Sequence, residues 1–220
     1  MRIDILTLFP NMFAGFLTES IIKRAINDKA VEVNIINFRD YSHLNNKQVD
    51  DTIYGGGAGM LLRCEPIFEC IDAIKSPEAK IVLLTPDGSP YKQETAKEFA
   101  KIKHLILICG HYEGFDERIR TLADYEISIG DYVLTGGEVP AMAICDSIIR
   151  LLPGVINKES LESESFEEAL LDYPMYTKPQ EYRGMKVPDI LLSGDHAKID
   201  AWRKSEREKK TKTKRPDIME

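Results

Sequence analysis

Ser128-Ile-Gly-Asp-Tyr-Val-Leu-Thr-Gly-Gly-Glu138 is the stretch on which the fold of this chain turns. With Tyr125 and Ile127 leading in, Ile129, Tyr132, Val133 and Leu134 are β-branched, aromatic or apolar, and they predict a strand. Gly136 and Gly137 end it, and an apolar helix is expected over about 139–152. Two glycines at a strand end let backbone approach a ligand with no Cβ in the way. A tight strand-to-helix turn would use the same pair. Other glycine-bearing loops follow other expected strands, and that repetition turns the reading toward a ligand site.

Upstream, Lys80-Ile-Val-Leu-Leu-Thr-Pro86 and His104-Leu-Ile-Leu-Ile-Cys-Gly110 are continuous apolar runs, the first closing in an expected turn at Asp87-Gly88. Residues 3–9 and 31–38 also read as strands. Helices are expected over 11–28, 65–75 and 91–101, the first from Met12, Phe13, Phe16, Leu17, Ile21, Ile22 and Ala25 at helical spacing. Strands apolar on both faces, alternating with helices, imply an α/β fold whose parallel sheet is covered on each side. Ligands of such sheets lie where loops leave the carboxyl ends of the strands. Residues 85–88, 110–114 and 134–137 occupy such ends and predict one pocket lined by backbone. A fourth segment, Tyr54-Gly-Gly-Gly-Ala-Gly-Met60, is a loop that fits neither the P-loop nor the dinucleotide-binding glycine pattern.

The 220 residues suffice for one large domain or one domain plus a small one, and 43% hydrophobic with 30% charged residues is ordinary for a globular chain. No run is long enough to span a membrane. The first ten residues carry Asp4 within their apolar stretch and no small-residue cleavage site, so a cytoplasmic protein is expected. Cys64, Cys70, Cys109 and Cys145 form no C-x-x-C pair and read as buried free thiols, and no residue cluster has metal-ligand spacing. The net charge of −7 argues weakly against nucleic acid, but its distribution matters more. Residues 159–172 are acidic, while residues 203–215 hold Arg203, Lys204, Arg207, Lys209, Lys210, Lys212, Lys214 and Arg215. Such a block grips phosphates or forms a solvated helix face. After Pro153-Gly154 the character changes. The expected organisation is an α/β domain over 1–155, a mobile linker over 156–169 and a small, mainly helical domain over 170–220, whose last helix starts near Asp195 or Ala197.

Several strings together match one family: Leu8-Phe9-Pro10; Tyr54-Gly-Gly-Gly57; Gly110 with Tyr112-Glu-Gly114; Ser128 to Leu134 with Gly136-Gly-Glu138; Leu171-Asp172 with Pro174 and Tyr176-Thr177; and Leu192-Ser-Gly194 with His196. The chain resembles the bacterial tRNA (guanine-N1)-methyltransferases of the TrmD type, a SPOUT family. The resemblance implies a deep trefoil knot in the α/β domain, a homodimer with the active site at the subunit interface, and S-adenosylmethionine as cofactor. The implied partner is tRNA, methylated at N1 of the guanosine 3′ to the anticodon (position 37). Carried over by position, the cofactor would meet Leu84, Thr85, Pro86, Gly88, Gly110, Tyr112, Ser128, Ile129, Gly130, Asp131, Tyr132, Val133, Leu134, Gly136 and Gly137.

The resemblance also implies the catalytic pair. Glu164, before Ser165-Phe166, stands where the family has its aspartate base, and Arg150 matches the arginine that meets the charge on the substrate base. Asp172 is the fallback base. The chain departs from the family at Thr52-Ile53, Ala58, His111 and Lys178, where Arg-Pro, Pro, Arg and Arg are usual. Two other classes remain beside this reading. One is a knotted RNA-binding protein without catalysis. The other is a nucleotide-binding oxidoreductase, against which the absence of G-x-G-x-x-G speaks.

Overall fold

The computed structural model describes residues 1–157, 160–161 and 164–219. They fall into two compact units, Met1–Ile156 and Asn157–Glu220. In chain order the strands of the first unit are β1 (Arg2–Thr7), β2 (Glu32–Asn37), the two-residue β3 (Asp50–Asp51) and β4 (Leu61–Leu62), β5 (Ala79–Pro90), β6 (His104–Cys109) and β7 (Tyr125–Ser128). Its helices are α1 (Ala14–Thr18), α2 (Ser20–Asn27), α3 (Cys64–Ile74), α4 (Gln93–Phe99) and α5 (Glu138–Ile149). Five strands form one sheet in the order β2-β1-β6-β5-β7. All its pairings are parallel, so every strand delivers its following loop to the same edge.

The apolar runs explain the layering. Side chains alternate between faces along a strand, so a run apolar at every position must be covered twice. Ile3, Ile5, Val82, Leu84, Leu105 and Leu107 bury one face against Phe13, Ile22, Phe99, Ile144 and Ile148 from the α1, α2, α4 and α5 side. Leu6, Ile81, Leu83, Ile106 and Ile108 bury the other against Phe38 and against Ile67, Cys70 and Ile71 of α3. Each such aliphatic chain contributes about 1.5–3 kcal/mol on leaving water. One charge interrupts the pattern. Asp4 is fully buried, and its carboxylate is satisfied by Arg2 (2.6 and 3.0 Å), Asn34 (2.9 Å) and His104 (2.9 Å), as a buried carboxylate requires.

Three expectations are corrected. The helix expected over 11–28 is broken into a 3-10 turn (Pro10–Phe13), α1 and α2. Glu19 is extended and Ser20 has a φ of 54°. On an unbroken helix Phe13 and Ile22 would lie on opposite sides, at 100° per residue; the break lets both enter the same core cluster. The second correction concerns β5, which does not turn back at Asp87-Gly88. It continues to Pro90, and Leu84 and Ser89 both pair with Ile127, so residues 85–88 are an outward bulge. Arg120 holds this bulge by donating to Asp87 at 2.8 Å, and Thr85 bonds to the same carboxylate. Together, Thr85 first, they keep Asp87 below the usual carboxylate range. Third, the strand expected through Leu134 stops at Ser128. Gly130 takes a φ of 154° and the Tyr132 amide bonds back to its carbonyl at 3.0 Å, so Tyr132, Val133 and Leu134 leave the sheet and are exposed.

In the second unit a short hairpin, β8 (Glu181–Tyr182) and β9 (Met185–Lys186), turns at Arg183 and Gly184, both at positive φ. The helix α6 (His196–Lys214) follows; Asp195 caps it by accepting from the Lys198 amide at 3.2 Å. The expected linker includes Lys158, Glu159, Glu162 and Ser163, which lie outside the described residues, as does Glu220. Its described part from Glu164 onward forms a compact turn, taken up below.

All four cysteines are buried and free. Burial pushes the thiols of Cys70 and Cys145 up to about 12 from an ordinary 9.0. Between pH 9 and 12 the unfolded chain therefore loses these protons while the folded chain keeps them. Stability falls as pH rises through that window, by at most about 1.4 kcal/mol per pH unit for each thiol. Urea midpoints at pH 8 and pH 10 check this. The midpoint drops for the wild type and drops less when Cys70 and Cys145 are both alanine; equal drops would refute the assignment to these thiols.

Candidate active site at the carboxyl edge of the sheet

The loops after β5, β6 and β7 meet in a cavity of about 260 Å³. Leu84 comes from β5 and Thr85 and Pro86 from its bulge, Gly110 and Tyr112 from the loop after β6, Ser128 from the end of β7, and Ile129, Gly130, Tyr132, Val133 and Leu134 from the loop after it. Gly136, Gly137 and Pro140 close it at the start of α5. Thirteen of the fifteen cofactor positions carried over from the sequence are thus brought together. The other two are not on the wall. Gly88 faces the β7 backbone, where a Cβ would come within 2.6 Å of the Glu126 carbonyl carbon. Asp131 is exposed.

Closeness of backbone builds this site. Gly137 donates its amide to the Gly110 carbonyl at 2.9 Å. A Cβ on Gly137 would lie 2.6 Å from the Cys109 Cα and 2.8 Å from the Gly110 nitrogen. A Cβ on Gly110 would meet the Phe115 ring at 2.8 Å. Ser128 ties the third loop, accepting from the Gly130 amide at 3.3 Å and donating to the Gly130 carbonyl at 3.1 Å. Tyr112, which lines the wall, has a φ of 60°. The glycine-rich loop over 54–60 connects here as well: the Met60 carbonyl accepts from the Glu113 amide at 3.0 Å, and Leu62 bridges to Phe115. Gly55, Gly56 and Gly57 need their positive φ rather than space, since only the Ile53 side chain comes near any of them.

Residue-by-residue reading missed polar groups here: His111 and Glu113 line the cavity, and a buried carboxylate stands behind His111. Glu138 is 1% exposed, directly after the glycine pair. Its carboxylate accepts from the Thr7 hydroxyl at 2.7 Å and meets His111 Nε2 at 3.2 Å. The His111 ring packs on Phe9, centroids 4.6 Å apart. This chain of contacts joins the end of β1, the loop after β6 and the start of α5, so it fixes the two backbone walls against each other. An acid immediately after Gly-Gly, at a helix start, was the available signal.

The catalytic candidates come from other elements of the chain. Arg150 caps the far end of α5. Twelve residues of helix, at about 1.5 Å each, put it roughly 18 Å along the axis from the Gly137 wall. Glu164 and Asp172 belong to the second unit, where Ser165 Oγ accepts from the Asp172 amide at 3.0 Å and joins them in one turn. The basic block divides along α6. Lys204, Lys209, Lys212 and Lys214 are exposed, whereas Arg203 and Lys210 are half-buried and Arg207 lies inward. The Arg203 guanidinium sits 5.0 Å from the Tyr173 ring centroid. No cluster of three or more His, Cys, Asp or Glu that could hold a metal occurs among the described residues, and none of their helices is long and apolar enough to cross a membrane.

The family model of tRNA (guanine-1)-methyltransferase TrmD matches residues 1–220. A tRNA (guanine-N(1)-)-methyltransferase of Malacoplasma penetrans is 56% identical over 219 residues, covering 100% of this chain and 97% of that protein. The Geobacillus kaustophilus protein of the same name is also 56% identical, covering 100% of this chain and 92% of its own. The one from Staphylococcus aureus strain MRSA252 is 52% identical with 91% of its length covered. With the backbone-walled cavity in place and identity of this extent over the whole length, the chain belongs to the TrmD family of tRNA (guanine-1)-methyltransferases.

Proposed function

We propose that this enzyme transfers a methyl group from S-adenosylmethionine to N1 of the guanosine 3′ to the anticodon, position 37, of tRNA in the cytoplasm. The match of the TrmD model to the whole chain carries this reading, and the cavity supports it. Leu84, Ile127, Ile129 and Leu134 offer apolar walls for an adenine ring, and the glycine-bordered loops present amides and carbonyls to its edge. The space a Cβ on Gly137 would take is filled by the neighbouring backbone, so cradle and fold are one structure. Bound there, the cofactor supplies the electrophilic methyl and its own sulfonium leaving group.

The protein's task is positioning and proton transfer. Guanine N1 carries a proton at neutral pH, and Glu164 is the carboxylate proposed to take it as the methyl arrives. Arg150 is proposed to stabilise charge developing on O6. The roughly 18 Å between Arg150 and the Gly137 wall exceeds the reach of an arginine side chain. We therefore assign the arginine of each site to the partner subunit of a homodimer, with each site at the interface. The first unit is read as tied in a trefoil knot; its support is the passage of Gly137 against Cys109 and Gly110. The second unit is assigned to tRNA, with the outward lysines of α6 on phosphates. Incubation with labelled S-adenosylmethionine and unmodified tRNA, followed by nucleoside analysis, tests the proposal. N1-methylguanosine is the expected product; label in another nucleoside, or none, would overturn it.

A further inference from the structure

The turn that carries both candidate bases is strained and externally held. Phe166, Glu168 and Ala169 have φ of 72°, 54° and 55°, a region L side chains disfavour. The turn closes on itself through Phe166 N to Leu170 O at 2.7 Å, Leu170 N to Glu167 O at 3.2 Å and Glu167 N to Glu164 O at 3.3 Å. Three left-handed residues in so short a segment persist only where surrounding structure over-determines them.

The surrounding structure is the inward face of α6. Arg207 donates Nε to the Leu171 carbonyl (3.3 Å), Nη2 to the Glu167 carbonyl (3.1 Å) and Nη1 to the Glu168 carboxylate (3.3 Å). Its side chain is only 13% exposed. One helical turn on, Lys210 donates to the Asp172 carbonyl at 2.9 Å, and the Thr211 hydroxyl accepts from the Leu171 amide at 2.9 Å. Residues 207, 210 and 211 share one helix face, and that face is spent on the turn rather than left for phosphate.

We propose that Arg207 is a positioning residue for methyl transfer: its guanidinium fork, backed by Lys210 and Thr211, holds the strained turn bearing Glu164 in a single geometry. A planar fork suits two carbonyls and a carboxylate in a way a lysine cannot fully reproduce. This inference rests on the reading of Glu164 as the base. It separates the basic block into a clamp (207, 210) and an RNA-facing row (204, 209, 212, 214).

The test uses the full-length chain with Arg207→Gln, Arg207→Lys and, for comparison, Lys204→Gln. Misplacing a catalytic group by about 1 Å costs up to roughly 100-fold. Arg207→Gln is therefore expected to lower kcat by about 10- to 100-fold, with KM for tRNA changed less than about threefold, and Arg207→Lys to restore part of the rate. Lys204→Gln is expected to raise KM alone. Amide exchange at Phe166, Leu170 and Leu171 is expected to accelerate at least about tenfold in Arg207→Gln. A raised KM with unchanged kcat and unchanged exchange would overturn the proposal and make Arg207 a phosphate contact. The exchange measurement needs no turnover, so a wild type without methyl transfer would fail the functional reading while exchange still decides the clamp.

Discussion

Gly137→Ala is expected to weaken S-adenosylmethionine binding by about 100-fold or more and to lower the unfolding temperature by several degrees. Gly137 has right-handed backbone angles (φ −84°, ψ −2°) that residues with a side chain also adopt, so the effect does not come from a glycine-only conformation. It is steric. The added Cβ would fall 2.6 Å from the Cys109 Cα and 2.8 Å from the Gly110 nitrogen, atoms of backbone that cannot rotate away. Relief requires the start of α5 to part from the end of β6, and both line the cavity. Overpacking of this kind costs about 1–3 kcal/mol, and loss of the Gly137–Gly110 hydrogen bond adds about 1 kcal/mol. A few kilocalories in a domain of this size correspond to roughly 4–10 °C. Gly15→Ala is the control. A Cβ there meets nothing within 4 Å, and alanine in a helix is neutral to stabilising by up to about 1 kcal/mol. Titration calorimetry and thermal unfolding of both variants decide the matter; affinity in Gly137→Ala within about threefold of wild type would contradict the backbone-walled cradle.

Glu164→Gln is expected to lower kcat by about 10²- to 10⁴-fold, the usual worth of a general base, and to leave cofactor affinity unchanged. Arg150→Ala should also depress kcat, and the assignment of Arg150 to the partner subunit gives this variant a second, sharper test. Mixed dimers of Arg150→Ala and Gly137→Ala chains contain one site with an intact cradle facing an intact arginine. Random mixing then restores up to about a quarter of wild-type activity, since half the dimers are hybrid and half their sites are whole. Two variants that stay inactive after mixing, although size-exclusion chromatography shows dimers, would place Arg150 and the cradle in the same subunit's site. Transfer that survives in Glu164→Gln would move the role of base to Asp172, its neighbour in the same turn.

Much of this architecture was legible in residue order. The runs at 81–84 and 105–109 are apolar at every position, as a doubly covered parallel strand requires, and they predicted the core strands β5 and β6 and the edge on which their loops meet. The helix starting at the glycine pair and the helix capped by Asp195 were equally plain. What escaped the reading was decided by contacts between distant residues. Val133 and Leu134 have strand-like side chains, but no neighbouring strand remains beyond Pro90 to pair with them. The break at Glu19 answers a three-dimensional demand, that Phe13 and Ile22 reach one core. Likewise, the basic residues of α6 look alike in sequence, and only their inward or outward position separates Arg207 from Lys204.

The most direct measurement is methyl transfer from labelled S-adenosylmethionine to two tRNA transcripts that differ only in having guanosine or adenosine immediately 3′ of the anticodon. Incorporation into the guanosine transcript alone, as N1-methylguanosine, is the predicted result, because Glu164 is asked to remove a proton that guanine N1 carries and adenine N1 lacks. Equal incorporation into both transcripts, or none into either by a protein that binds the cofactor tightly, would contradict it.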